Sequence, residues 1–195
     1  MRLGLVADAH CNWRAVEIAL NRLRGRVDRL LFAGDAVYEY RFSNEVVELL
    51  RDHEVSSVLG NHEVGILAPE GVRARSAPGV RADNIDFLRA LPSQVELDLQ
   101  GSRLLMVHGS PWNPHREYVY PGTPGLQRFA ALDYDFVVLG HTHVPMAERV
   151  GRVLVANPGS IGESRTAGGG DVTYAILDTV SAQVTFESFP DPRRN

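Results

Sequence analysis

The sequence predicts an α/β domain. Short apolar runs rich in β-branched residues recur along the chain, and stretches with helical spacing separate the earlier ones. Runs apolar along their whole length are central strands covered on both faces, and the late hairpins add antiparallel strands.

The elements follow in order. LGLV (3–6) leads to Asp8. Asn12 caps a helix whose apolar stripe is Val16, Ala19, Leu20 and Leu23 and which Gly25 stops. LLFA (30–33) ends at Gly34 and Asp35. Ser43 caps a second helix with Val46, Val47, Leu49 and Leu50 on its buried face. VSSVL (55–59) ends at Gly60, Asn61 and His62. A helix over 81–91 carries Ile85, Phe87, Leu88 and Leu91 and stops before Pro92. VELDL (95–99) and RLLMVH (103–108) form a hairpin about Gln100, Gly101 and Ser102. A short helix at 124–132 precedes FVVL (136–139), which ends at Gly140 and His141. RVLVA (152–156), DVTYAIL (171–177) and QVTFESF (183–189) close the fold. The Pro/Gly-rich stretch 69–79 and residues 168–170 read as mobile loops. With no repeat and no linker, residues 1–195 read as one domain.

Bulk properties narrow the function. An apolar fraction of 44% and a charged fraction of 23% are those of a water-soluble domain. No apolar stretch reaches the roughly 18 residues of a membrane span, and MRLGLVADAH reads as a first strand rather than a secretion signal. The single cysteine, Cys11, cannot form an intramolecular disulfide, which fits a cytoplasmic protein. A net charge of −4 argues against a nucleic-acid partner. All 20 basic residues are Arg, so lysine-based catalysis is excluded.

Five of the apolar runs end in a side chain able to bind metal: LGLVAD, LLFAGD, SSVLGN, LLMVH and FVVLGH. Strands of one polarity place such residues in the crevice beyond their carboxyl ends. Asp8, Asp35, Asn61, His108 and His141 therefore share a rim, with His10 and His143 one residue beyond Ala9 and Thr142. Five of the seven histidines fall within these segments. Carboxylate, carboxamide and imidazole without thiolate suit manganese, iron, zinc, nickel or cobalt rather than a cysteine-type structural zinc. Seven ligands exceed what one ion that also binds water and substrate can use; two ions about 3.5–4 Å apart, sharing a carboxylate, use them all. Cys11 is read as a packed filler, not a ligand.

With Asp8-Ala9-His10, Gly34-Asp35, Gly60-Asn61-His62-Glu63, His108 and Gly140-His141-Thr142-His143 in this order, the chain resembles the calcineurin-like metallophosphoesterases from end to end. The resemblance implies a four-layer α-β-β-α sandwich with two mixed β-sheets. It also implies two divalent ions, manganese foremost, one held by Asp8, His10 and His143 and the other by Asn61, His108 and His141, with Asp35 bridging. Asn157-Pro158-Gly159-Ser160 looks like the family's post-strand turn. The size is most similar to the small bacterial and archaeal phosphodiesterases. The phosphoprotein phosphatase and diadenosine tetraphosphatase branch is a poorer match, because Asp-Arg-Gly does not follow Gly34-Asp35.

The resemblance implies a phosphodiesterase in which two metals activate a bridging hydroxide for in-line attack on a small, nucleotide-like phosphoester. His62 is the candidate for protonating the leaving oxygen, and Glu63 for supporting its loop. Segment 110–124 carries four prolines with Trp112, Tyr118 and Tyr120, which are candidates to stack on a base or aryl group. The alternatives are a non-catalytic protein-interaction scaffold of the same fold and a phosphomonoesterase or nucleotide phosphatase; a nuclease is disfavoured by the acidic charge. A homo-oligomer is left open.

Overall fold

In the computed structural model, which describes residues 1–163, 165 and 170–194, the first half runs β1 (Arg2–Val6), α1 (Trp13–Leu23), β2 (Arg29–Phe32), α2 (Asn44–Asp52) and β3 (Ser56–Ser57). Both expected caps form: the Asn12 side chain accepts the Ala15 N–H at 3.4 Å, and the Ser43 hydroxyl accepts that of Val46 at 3.4 Å. α3 (Asn61–Leu67), a 3₁₀ turn (Pro69–Gly71), α4 (Val72–Arg75) and α5 (Ala82–Ala90) follow. The chain then forms β4 (Gln94–Asp98), β5 (Arg103–Val107), a 3₁₀ helix (Pro124–Ala131), β6 (Phe136–Val138), β7 (Pro145–Val150), β8 (Val153–Pro158), β9 (Asp171–Asp178) and β10 (Gln183–Pro190).

The strands make two five-stranded mixed sheets, ordered β10-β9-β1-β2-β3 and β4-β5-β6-β8-β7. β1, β2 and β3 are parallel in the first, and β5, β6 and β8 in the second. Strand periodicity assigns the faces. Leu3, Leu5 and Ala7 of the β1 segment point toward the second sheet and join Leu104, Met106, Phe136 and Val138 in the core between the sheets. Val6 points the other way, onto Val16, Leu20 and Leu23 of α1 and Val46, Val47 and Leu50 of α2. On the outer face of the second sheet, Val107, Val137 and Val155 pack against Leu126 and Phe129 of the 3₁₀ helix. The four expected layers are therefore present, and the last one is built from a 3₁₀ helix and its flanking loops.

Some elements differ from the sequence reading. Only Ser56 and Ser57 of the 55–59 run form a strand, because the chain turns into α3 immediately afterwards. The 69–79 stretch, expected as a loop, contains the 3₁₀ turn and α4, and the Arg75 guanidinium fastens it by donating to the Ile66 carbonyl at 2.7 Å. β7 escaped the apolar criterion because it is an edge strand that buries only Met146 and Val150. Gly168 and Gly169 of the other expected loop lie outside the described residues. Among the described residues no helix is long and apolar enough to cross a membrane.

Leu5 is fully buried between the sheets, so Leu5→Ala should destabilise the fold by about 2–5 kcal/mol. Val180→Ala, at a site 86% exposed, should stay within about 0.5 kcal/mol. Urea denaturation of the two variants checks this, and a Leu5→Ala cost below about 1 kcal/mol would contradict the inter-sheet core.

Candidate metal centre

The parallel strands of both sheets direct their carboxyl ends to one rim, where the loops after β1, β2, β5 and β6 meet. The backbone there is tightly laced. Asp8 N–H donates to Gly34 O at 2.9 Å, His10 N–H to Asp35 O at 3.0 Å, and Cys11 N–H to Ala36 O at 2.9 Å. From the second sheet, His141 N–H reaches both Asp8 carboxylate oxygens, at 3.2 and 3.1 Å. The turn after β8 joins these loops. Asn157 Nδ2 donates to Gly140 O at 2.6 Å, and Ser160 Oγ donates to Asp8 O at 2.8 Å. The Asn157-Pro158-Gly159-Ser160 motif thus clamps the two ligand-bearing loops.

Five of the expected ligands hold left-handed backbone conformations: Asp8 (φ 57°), His10 (46°), Asp35 (60°), His141 (70°) and His143 (61°). Such conformations are costly away from glycine and persist where surrounding contacts impose them. All five are buried, with His141 the most exposed at 5%.

All seven expected ligands lie at the rim. On one side Asp8, His10 and His143 converge, with His10 Nε2 and His143 Nε2 2.9 Å apart and His143 Nε2 3.4 Å from Asp8 Oδ1. On the other, His108 Nε2 lies 3.2 Å from Asp35 Oδ2, 3.1 Å from His141 Nδ1 and 3.0 Å from Asn61 Oδ1. Asp35 belongs to both sides, for it also clusters with His10 and His62. Bonds of about 2.0–2.2 Å to one cation would set neighbouring donors about 2.8–3.6 Å apart, depending on the coordination angle. These five separations fall in that range, and His10 Nε2 lies somewhat farther, 3.9 Å, from Asp8 Oδ1, so the donor set fits divalent cations. The second nitrogens of two of the four histidines agree, while His10 Nδ1 and His141 Nε2 have no hydrogen-bond partner among the described residues. His108 Nδ1 donates to Ala33 O at 2.7 Å and His143 Nδ1 to Glu163 O at 2.8 Å, which turns both Nε2 atoms inward.

Electrostatics support the same reading. Burial pushes His10 down to about 3 and His141 down to about 4, which keeps both imidazoles neutral and their lone pairs free. Burial alone would raise Asp35 and lower His108, but their mutual attraction outweighs it, and the pair shifts toward carboxylate and imidazolium. A divalent cation can take the place of the proton that His108 carries there. Buried Glu63 accepts the N–H groups of Asp35 (2.8 Å), Val37 (3.0 Å) and Gly60 (2.8 Å), the supporting role expected of it. Burial and the nearby Asp35 charge push its pKa up.

His62 is partly buried beside Asp35, with Nε2 3.8 Å from Asp35 Oδ2, and its Nδ1 bonds the Glu39 carboxylate. Sequence reasoning missed Glu39, and also Tyr38, whose ring stacks on His10 at 4.7 Å and whose hydroxyl bonds the Glu163 carboxylate. The only available signal was their position three and four residues after Asp35. Cys11 is partly buried, its thiol directed at Arg41 O at 3.3 Å, outside the ligand clusters.

A cleft of about 1340 Å³ opens beside Asn61 and His141. Of the three aromatics expected to meet substrate, Tyr118 lines it, stacked on the His141 ring at 3.8 Å. Tyr120 stacks behind Tyr118 at 6.0 Å, and Trp112 packs on Phe129 beneath Arg128, away from the cleft.

Residues 1–182 match the profile of the calcineurin-like phosphoesterase superfamily domain. The chain is similar to phosphodiesterase YfcE of Escherichia coli K12, at 35% identity over 179 residues that cover 91% of this chain and 88% of YfcE. A metallophosphoesterase of Sphaerobacter thermophilus superposes with a TM-score of 0.80 at 29% identity, covering 98% of this chain and 89% of that one. A hypothetical protein of Pyrococcus horikoshii shares the fold, with a TM-score of 0.83 at 18% identity over 99% of this chain and 89% of its own. With its sequence profile, its two mixed sheets and its Asp/His rim in agreement, the chain belongs to the calcineurin-like phosphoesterase superfamily.

Proposed function

We propose that residues 1–195 form one catalytic domain that hydrolyses phosphodiesters with two divalent cations, manganese foremost. Asp8, His10 and His143 would hold one cation and Asn61, His108 and His141 the other, with Asp35 serving both. The observation that carries this reading is the membership of Asp35 in donor clusters on both sides of the rim. Held there, such cations would supply a lowered pKa for water and a positive charge to offset that of the phosphoryl oxygens. Similarity to a phosphodiesterase supports the diester preference.

Hydrolysis forms a bond from the water oxygen to phosphorus and breaks the bond to the ester oxygen, which needs a proton as it leaves. His62 would supply it, a role supported by its position beside Asp35. An ionised carboxylate can only accept, so the contact with Glu39 makes Nδ1 an N–H donor, and as an imidazolium His62 would carry the transferable proton on Nε2, on the Asp35 side. Glu39 thereby orients His62. Glu63 acts at one remove, holding the backbone from which Asp35 and His62 project. A complete donor set also favours catalysis over a purely scaffolding role.

Asp35→Asn preserves the shape but removes the shared charge. It should leave less than one tightly held metal per chain by elemental analysis and lower diesterase turnover by about 10³-fold or more. Normal metal content in this variant would remove Asp35 from its bridging role. His62→Asn should keep the metal yet lose about 10²–10⁴ in kcat on an alkyl ester, whose leaving oxygen needs the proton. On a p-nitrophenyl ester, whose leaving group is already stable as an anion, the loss should be much smaller. Equal losses on the two esters would refute the acid role.

A further inference from the structure

The cleft beside Asn61 and His141 is larger than a phosphoryl group requires. Pockets of about 300–1,000 Å³ enclose drug-sized ligands, and this one, at about 1340 Å³, admits an ester group of nucleoside size. Two of its walls come from the stretches 39–45 and 64–80. Val64 and Ala68 lie on α3 and its end, Ala77 lies after α4, and Tyr40 and Phe42 lie on the loop after β2. Gly65 lets that loop approach α3, since a Cβ there would stand 2.9 Å from Cβ of Glu39. Opposite them, Tyr118 is backed by His141 and remains 50% exposed, while Tyr40 is 66% exposed. Two accessible aromatic rings and an apolar helix face suit a flat organic group.

The charged groups of the cleft are three carboxylates, Glu39, Glu45 and Glu70, and three guanidinium groups, Arg41, Arg73 and Arg116. Arg73 and Arg116 line it, and a guanidinium offers only N–H groups. Neither makes an ion pair or side-chain hydrogen bond among the described residues. Arg41, by contrast, donates to His10 O at 3.3 Å. Of the carboxylates, Glu39 is engaged by His62 and Glu45 by the Ser43 hydroxyl at 2.7 Å. Glu70 remains, set against two uncommitted guanidinium groups.

We propose that this cleft is an ester-group subsite, taking the organic group of a phosphodiester when that group is aromatic and carries hydrogen-bond acceptors, as a nucleoside does. The proposal rests on the diesterase reading above and specifies its substrate class. Segment 110–124 contributes to recognition through Tyr118 and Arg116, and the other two walls come from 39–45 and 64–80.

The test compares thymidine 5′-p-nitrophenyl phosphate with methyl p-nitrophenyl phosphate, which share a leaving group and differ only in the second ester. Stacking and donor contacts of this kind should favour the thymidine ester by about 10-fold or more in kcat/KM. Ala77→Trp, which fills the cleft, and Arg116→Ala, which removes a donor, should each bring that ratio toward one; both positions are exposed, so neither change burdens the core. A second readout needs no turnover. In calorimetry on the metal-loaded protein, diphenylphosphinate should bind about 10-fold or more tighter than dimethylphosphinate, and Ala77→Trp should remove the difference. Equal affinities for the two phosphinates, or equal kcat/KM for the two esters, would overturn the subsite. Failure to turn over either ester would count against the diesterase reading alone, and the phosphinate pair would still decide the subsite.

Discussion

Three backbone N–H groups, those of Asp35, Val37 and Gly60, converge on the buried carboxylate of Glu63, and the rest of the rim depends on that contact. It ties the end of β2 to the turn after β3. Burying a carboxylate without partners costs several kcal/mol, and these donors offset that cost. The knot then delivers the His62 N–H to Asp35 Oδ1 at 2.9 Å, so the carboxylate shared by both donor clusters is fixed from outside them. The knot requires glycine. A Cβ on Gly60 would lie 2.1 Å from Asp35 Oδ1, and one on Gly34 would lie 2.7 Å from His108 Nδ1.

Gathering lone pairs in one place opposes folding. Imidazoles and carboxylates packed at 2.9–3.4 Å repel one another unless a proton or a cation lies between them. The left-handed backbones at Asp8, His10, Asp35, His141 and His143 add local strain. The two-sheet core supplies the compensation. Leu5, Leu31, Met106 and Val138 bury their side chains just behind the rim, and hydrogen bonds from His10, Cys11 and His141 close the loops over it. The strained loops are short because rigid strands deliver them to the place where they must meet.

This division explains what could be read in advance. Apolar runs ending in Asp, Asn or His carry the signal of a strand and of a ligand in the same residues, so all seven rim side chains were recoverable from order and spacing alone. Helix caps were equally legible, because Asn12 and Ser43 act on backbone three residues away. α3 escaped because its first residue, Asn61, is also an expected ligand and its sequence NHEVGIL carries an internal glycine. Glu39 escaped for a different reason. Its link to His62 spans 23 residues and exists only once β2 and α3 are adjacent. Trp112 and Tyr120 looked as well suited to substrate as Tyr118. The tertiary fold separated them, by packing Trp112 on Phe129 and setting Tyr120 behind Tyr118.

The proposed chemistry and the proposed specificity of this chain thus rest on different physics. The rim is made of buried groups whose positions are over-determined by strands, backbone lacing and the Glu63 knot, so on the proposed reading substitutions there would disturb metal, fold and rate together. The cleft is made of α3, the 69–80 stretch and two loops, where Tyr40, Val64 and Tyr118 still face solvent. Side chains of that kind can change without disturbing the core, because little apolar area of the fold depends on them. Asn61 and His141 are the exception, since they belong to the donor cluster and also line the cleft. Tyr118 stacks on His141, so a group bound in the cleft lies one ring away from a proposed metal ligand. Through that ring the identity of the ester group can influence the centre itself, and substrate choice need not be confined to binding.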